Sequence, residues 1–221
     1  MGSLLLLDLD NTLADREGAF LAWARVKAQQ WAPNEPEAVT YLVEQDDDGF
    51  RPRSEFFSAV RGRFGLQRPV ETLVAEYRGD FVRAFPPVPD DVVARLRELR
   101  SDGWKIAVVT NGGAAVQRAK LDHLGLPPHL DACCISGELG IGKPNPRIFE
   151  VAASRCGEDL AEAWMVGDGE ADILGAYRAG IRSVWLHRGR SWARSDAEPD
   201  HTAGGLLEAL ALLGGAGLRQ R

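Results

Sequence analysis

Two carboxylates, two residues apart, close a run of leucines: Leu4-Leu5-Leu6-Leu7-Asp8-Leu9-Asp10-Asn11-Thr12. Four leucines in a row read as a strand buried on both faces, as in a parallel sheet. Desolvation and mutual repulsion oppose ending such a strand in two bare charges. Ligands of open parallel sheets bind beyond the carboxyl ends of the strands, so Asp8 and Asp10 stand where a site is expected. The plainer alternative is a turn whose Asp and Asn side chains satisfy nearby backbone groups.

Three further stretches bear on that choice. Thr110-Asn111-Gly112-Gly113 follows the apolar run 106–109, Lys143 stands shortly before a helix opened by Pro146, and Asp168 and Asp172 follow the apolar run 163–166. A parallel sheet brings the ends of such strands to one edge. Four carboxylates against one lysine leave an excess of negative charge there. A hard divalent cation resolves it, and carboxylates completed by water and a substrate phosphate suit Mg²⁺. Thr110 offers a hydroxyl, and the N–H groups of residues 111–113 open a helix, a natural anion cradle. Lys143 adds a point charge for phosphate. Nucleophile, proton donor, anion clamp and metal are the parts phosphoryl transfer needs. Each stretch alone also fits a plainer reading: a helix cap for Asp168 or Asp172, a solvated lysine, a Thr-Asn-Gly turn. Their coincidence favours a site.

The elements that must position these residues alternate. After Thr12 the segment 17–85 lacks a buried-strand run and reads as four helices at about 18–30, 36–45, 54–64 and 70–85. Leu21, Trp23 and Val26 on the first, and Leu73, Val74, Tyr77, Phe81 and Val82 on the last, recur at helical spacing. Asp46-Asp47-Asp48 reads as a polar connector, and Pro86-Pro87-Val88-Pro89 as a stiff boundary. Beyond it, helices at 90–100, 114–123, 146–155, 170–179 and 205–213 alternate with strands at 106–109, 132–135, 163–166 and 183–186. Residues 214–221 read as frayed. The pattern predicts an α/β fold, a doubly wound parallel sheet, with a helical bundle inserted after its first strand.

Composition bounds the rest. The 221 residues suit one α/β domain plus an insertion. A net charge of −6 gives no basic patch for nucleic acid. Cys133, Cys134 and Cys156 form no CxxC pair, so free thiols in a reducing compartment are expected rather than zinc. Met1-Gly2-Ser3 does not fit a myristoylation signal, because position 6 is Leu6. With neither a signal peptide nor a spanning run recognisable, a cytoplasmic protein is expected, monomeric or homodimeric and off the membrane. Two look-alike motifs fail. Gly137 to Lys143 follows the P-loop pattern, but Pro144 stands where Ser or Thr must reach Mg²⁺. Gly167-Asp168-Gly169 begins a dinucleotide fingerprint, but Asp172 occupies its third glycine position.

The four stretches, as Asp8-Leu9-Asp10-Asn11-Thr12, Val109-Thr110-Asn111-Gly112, Gly142-Lys143-Pro144 and Gly167-Asp168-Gly169-Glu170-Ala171-Asp172, resemble in order and approximate spacing the motifs of the haloacid dehalogenase (HAD) superfamily. The match extends over nearly the whole chain, and the insertion resembles that family's C1-type helical cap. The resemblance implies a HAD-like Rossmannoid core at 1–16 and 87–221 and a cap at 17–86. It implies that Asp8 attacks phosphorus to form an aspartyl-phosphate and that Asp10 protonates the leaving oxygen, then activates water. Thr110, Asn111 and Lys143 would hold the phosphoryl group. Mg²⁺ would lie between Asp8, the Asp10 carbonyl and Asp168, with Asp172 supporting through water.

The function this implies is a phosphatase acting on a small phosphomonoester, a sugar phosphate or a nucleotide. A phosphomutase of the same fold and a non-catalytic binding protein are the alternatives. A dehalogenase is disfavoured because Asp10 is present, and a phosphonate hydrolase because Lys27 alone offers an amine in the insertion. Trp23, Arg51, Arg53 and Phe56 are the candidates for substrate contact from a closing cap. Thr110-Asn111-Gly112 with Gln117 and Lys120 is similar to nucleotidase and sugar-phosphate phosphatase branches.

Overall fold

The structure, a computed structural model, describes residues 4–214; Met1-Gly2-Ser3 and residues 215–221 of the frayed end expected over 214–221 lie outside them, whereas Gly214 belongs to the last helix. Chain contacts divide it into two compact units, Met1–Ala14 with Pro87–Arg221, and Asp15–Pro86.

In the first unit the leucine run forms β1 (Leu4–Leu7), buried at every position. It lies between two parallel neighbours, β2 (Lys105–Thr110) and β4 (Trp164–Gly167), which is why it can be apolar on both faces. With β3 (Ala132–Ile135), β5 (Arg182–Leu186) and β6 (His201–Ala203) the sheet is wholly parallel, in the order β3-β2-β1-β4-β5-β6. That order reverses direction between β1 and β4, the switch point where open α/β sheets form their crevice. β6 is absent from the sequence expectation because His-Thr-Ala carries no apolar run. It is aligned by pairing with Val184 to Leu186.

The helices of this unit are α5 (Asp90–Ser101), α6 (Ala114–His123), α7 (Ser136–Leu139), α8 (Arg147–Cys156), α9 (Glu170–Ala179) and α10 (Leu206–Gly214). Leu4, Leu6, Ala107, Val109 and Met165 share one buried cluster with Ile148, Phe149 and Ala152 of α8 and Ala176 of α9. α5 packs on β2 and α10 on β5 and β6, and those two helices touch each other. Among the described residues no helix is long and apolar enough to cross a membrane.

The second unit holds α1 (Arg16–Trp31), α2 (Ala38–Asp46), α3 (Arg53–Phe64) and α4 (Val70–Arg83). Asp15 caps α1 by accepting from the Gly18 N–H at 2.9 Å. α4 stops at Arg83 rather than at residue 85, because Pro86 disfavours helical geometry at the residue before it. Its interior is aromatic: Phe20, Trp23, Phe56, Phe57, Tyr77 and Phe81 are all buried and in ring contact. The buried stripe of α1 is Phe20, Trp23, Ala24 and Ala28, and Val26 faces solvent at 55% exposure. Apolar type alone misplaced Val26, since small alanines carry the inner face.

The polar connector expected at 46–48 also divides differently. Asp46 is 2% exposed and pairs with Arg16 at 2.6 Å and Arg53 at 2.7 Å. Two guanidiniums offset the desolvation that would otherwise expel it. Only Asp47 and Asp48 form the turn, both with left-handed backbone.

Candidate active site at the carboxyl edge of the sheet

β1 leads into a tight loop. The Leu9 carbonyl accepts from the N–H groups of Leu13 at 3.0 Å and Ala14 at 2.8 Å, and Asn11 adopts a left-handed φ of 59°. Asn tolerates that conformation better than most residues. The turn reading and the site reading of this stretch therefore describe the same object, since the loop presents Asp8 and Asp10 at the sheet edge.

Asp8 is 7% exposed. Lys143 Nζ contacts Asp8 Oδ1, reaches Asp172 Oδ1 at 2.7 Å, and donates to the Val109 carbonyl at 2.6 Å. Burial works against the Lys143 charge, but Asp172 and Asp8 outweigh it and raise its pKa. Burial pushes the Asp8 carboxyl up to about 8, with Lys143 opposing and Asp172 adding to the rise. Asp168 is also raised, chiefly by burial, with Arg188 working the other way. Asp8, Asp168 and Asp172 each offer an oxygen within 4.8 Å of the others, and all three are buried. That set of hard oxygen donors fits Mg²⁺.

The loop carrying Lys143 is fastened to the end of β2. Asn111 Nδ2 donates to the Lys143 carbonyl and the Lys143 N–H donates to Asn111 Oδ1, both at 2.8 Å. Gly142 is required where this loop crosses: a Cβ there would lie 2.6 Å from Asn111 Oδ1. The Asn111 amide is thus largely spent on holding Lys143. In the expected anion cradle, the Gly112 N–H is engaged by Ser136 Oγ at 3.0 Å. Thr110 is 1% exposed, and its Oγ1 accepts from Gln117 Nε2 at 2.7 Å.

Asp10 stands apart from the three-carboxylate group. Both its oxygens accept from Lys120 Nζ, at 2.7 and 2.8 Å, and Gln117 Nε2 donates to it at 3.1 Å. The resemblance assigns metal contact to its backbone carbonyl, and the side chain's engagement elsewhere is compatible with that.

Charge counting changes with the structure in hand. Lys120 neutralises Asp10, while Arg188 at 2.9 Å and Arg190 at 3.1 Å contact Asp168 Oδ2. Four carboxylates therefore meet four cations, not one lysine. The argument for a metal now rests on the convergence of three buried oxygens rather than on surplus charge. Arg188 and Arg190 were not picked out from sequence. Their signal was position, since both follow the carboxyl end of β5, the strand beside β4.

Trp23, Arg51, Arg53 and Phe56 all belong to the helical unit. Trp23 and Phe56 are 3% and 0% exposed within its aromatic interior. Arg53 donates to Asp46 and to the Arg51 carbonyl, and Arg51 pairs with Gln45.

A sequence model described as haloacid dehalogenase-like hydrolase matches residues 3–180. The phosphoserine phosphatase of Thermus thermophilus is 43% identical over 127 residues, covering 57% of this chain and 51% of that protein. The chain thus spans about half the length of the first curated relatives it matches, 51% and 54% for two of them. The ribulose-1,5-bisphosphate 5-phosphatase of Halopiger xanaduensis is 32% identical over 202 residues, covering 83% of this chain and 84% of that protein. Among solved structures, the HAD-hydrolase YfnB from Bacillus subtilis, bound to magnesium, superposes with a TM-score of 0.76 at 22% identity, over 96% of this chain and 99% of that one. At that identity the likeness speaks for the fold alone. The matched span of residues 3–180, with the parallel sheet and the four motifs gathered at its carboxyl edge, places the chain in the haloacid dehalogenase-like hydrolase family.

Proposed function

We propose that the chain is a Mg²⁺-dependent phosphatase that hydrolyses a small phosphomonoester through a phosphoryl group carried on Asp8. The observation that carries this reading is the placement of Lys143 between Asp8 and Asp172, with Asp168 converging on the same point. Curated relatives named as phosphatases support it.

Lys143 anchors Asp8 through Oδ1, which leaves Oδ2 for attack. The Asp8 oxygen bonds to phosphorus as the ester oxygen departs, and Asp10, which must enter this step in its protonated form, gives the departing oxygen that proton. Water then attacks phosphorus and gives a proton to Asp10. The Asp8–phosphorus bond breaks, inorganic phosphate leaves, and both aspartates are restored. Thr110 and Lys143 hold the phosphoryl oxygens. Asp8, Asp168, Asp172 and the Asp10 carbonyl would hold Mg²⁺, which when bound supplies charge neutralisation and alignment for the displacement. Burial disfavours the charged form of Asp8, and a cation held beside it would favour that form.

The test is phosphate release from a panel of phosphomonoesters, with and without Mg²⁺, by wild type and Asp8→Asn. Magnesium-dependent release that the variant lacks supports the proposal. Full activity in Asp8→Asn overturns it. An isomerised product with no free phosphate points instead to a mutase.

A further inference from the structure

One side of the site is built by two residues of α6 that the scheme above does not use. Gln117 and Lys120 lie one turn apart on the same face, and they are 2% and 4% exposed. A lysine so buried needs a partner to offset its desolvation. Lys120 gives two of its N–H groups to the two oxygens of Asp10. Held by both oxygens, the Asp10 carboxylate cannot rotate without losing a charge-assisted bond.

Gln117 does something different. Its Nε2 carries two hydrogens and faces three acceptors: Thr110 Oγ1 at 2.7 Å, Asp10 Oδ2 at 3.1 Å and the Asn111 carbonyl at 3.3 Å. The Thr110 contact is the shortest. A hydroxyl that accepts such a bond has its own proton to give. Among the described residues that proton has only a long contact, 3.4 Å to the Asn111 carbonyl. Gln117 therefore sets Thr110 as a donor.

We propose that Lys120 and Gln117 are positioning residues for phosphoryl transfer, Lys120 fixing the Asp10 carboxylate and Gln117 fixing the Thr110 hydroxyl as a donor. The inference rests on the phosphatase reading. Its consequence is specific to leaving groups. An alkoxide needs the proton from Asp10 as it departs, whereas p-nitrophenolate departs without one. Loss of Asp10 positioning should then slow phosphorylation of Asp8 by an alkyl phosphate far more than by p-nitrophenyl phosphate. It should also slow attack of water in both cases.

The experiment compares wild type, Lys120→Met and Lys120→Arg on p-nitrophenyl phosphate and on whichever of phosphoserine, glycerol 3-phosphate and ribose 5-phosphate is turned over best. For Lys120→Met, kcat/KM on the alkyl phosphate is expected to fall ~10-fold or more beyond its fall on p-nitrophenyl phosphate. A burst of about one p-nitrophenolate per enzyme should precede a slowed steady state, with phosphate trapped on Asp8. Lys120→Arg should restore most of the loss. Gln117→Leu, assayed separately, should raise KM and weaken inhibition by inorganic phosphate, with kcat changed less. Equal falls on both substrates without a burst, or no fall at all, overturn the role of Lys120 even if the phosphatase reading stands. Unaltered phosphate affinity in a folded Gln117→Leu overturns that of Gln117. Wild type that releases no phosphate from any of these compounds overturns the phosphatase reading, and the inference with it.

Discussion

Asn111 and Lys143 are joined by a reciprocal pair of hydrogen bonds, side-chain amide to backbone amide, each 2.8 Å long. The loop that delivers the Lys143 ammonium to Asp8 is thereby tied to the end of the neighbouring strand. Asn111→Leu keeps the volume and removes both bonds. It leaves a part-buried N–H and carbonyl without their partner, at a cost of ~1–3 kcal/mol for each such group. Stability measured by urea unfolding should fall by at least about 1 kcal/mol. Phosphatase kcat/KM should fall with it, because Lys143 is no longer held against Asp8. Unfolding energies within about 0.5 kcal/mol of wild type, the range of ordinary surface changes, would remove the strapping role.

At the opposite end of β2, Asp131 supplies a pH-dependent fastening. Its carboxylate accepts from the Ile106 N–H at 3.0 Å and from Lys105 and Arg100, each at 3.3 Å. Burial pulls its pKa upward, but these contacts prevail and hold it below the ordinary carboxylate value. A depressed pKa means that the unfolded chain takes up the proton first as pH falls. The stabilisation is therefore present above about pH 4, the unfolded value, and is lost as pH drops through the folded one. Asp131→Asn should lower the melting temperature at pH 7. The gap between variant and wild type should narrow at pH 3, and a gap independent of pH would count against the ionic part of the fastening.

Legibility in the sequence followed burial and locality. β1 could be read because four leucines admit few other environments, and β2, β4 and β5 because each is an apolar run. Asp8 and Asp168 could be picked out because each follows such a run, and Lys143 because it stands shortly before the helix opened by Pro146. β6 could not, since its three residues pair only because Val184 to Leu186 present an open edge. Arg188 and Arg190 were illegible for a related reason. Their partner Asp168 is twenty residues or more away in the chain, and only the order of β4 and β5 in the sheet brings them together. Asp46 looked like one of three solvated carboxylates and proved buried, because its counter-ions Arg16 and Arg53 lie on two other helices.

The cysteines carry a negative prediction. Burial pushes the thiols of Cys133 and Cys156 up to about 11, and it raises Cys134 as well. The thiolate is the reactive form, so at pH 7.5 only about three molecules in ten thousand present it at Cys133 or Cys156. Iodoacetamide at that pH should label the folded protein slowly and leave phosphate release intact. All three thiols should react once the chain is unfolded in urea. Rapid loss of activity on alkylation would contradict a reaction that runs wholly on carboxylates.

Gly167 tests whether the three-carboxylate group acts as a unit. A Cβ at this position would lie 2.2 Å from Asp172 Oδ2 and 2.4 Å from its Cγ. Asp172 is short and 2% exposed, and its Oδ2 also accepts from the Gly169 N–H at 2.9 Å. It cannot swing aside at little cost, so Gly167→Ala must displace either the carboxylate or the end of β4. In both cases the Asp172 oxygen leaves the 4.8 Å group it forms with Asp8 and Asp168, and Lys143 loses one of its two counter-ions. Overpacking of this kind costs ~1–3 kcal/mol, so the variant should melt earlier without added metal. Millimolar Mg²⁺ should raise the melting temperature of wild type and do so far less for Gly167→Ala, because ligand stabilisation follows affinity for the folded state. Equal magnesium-induced shifts in the two proteins would show that Asp172 contributes nothing to the cation site, and would confine its role to the pairing with Lys143.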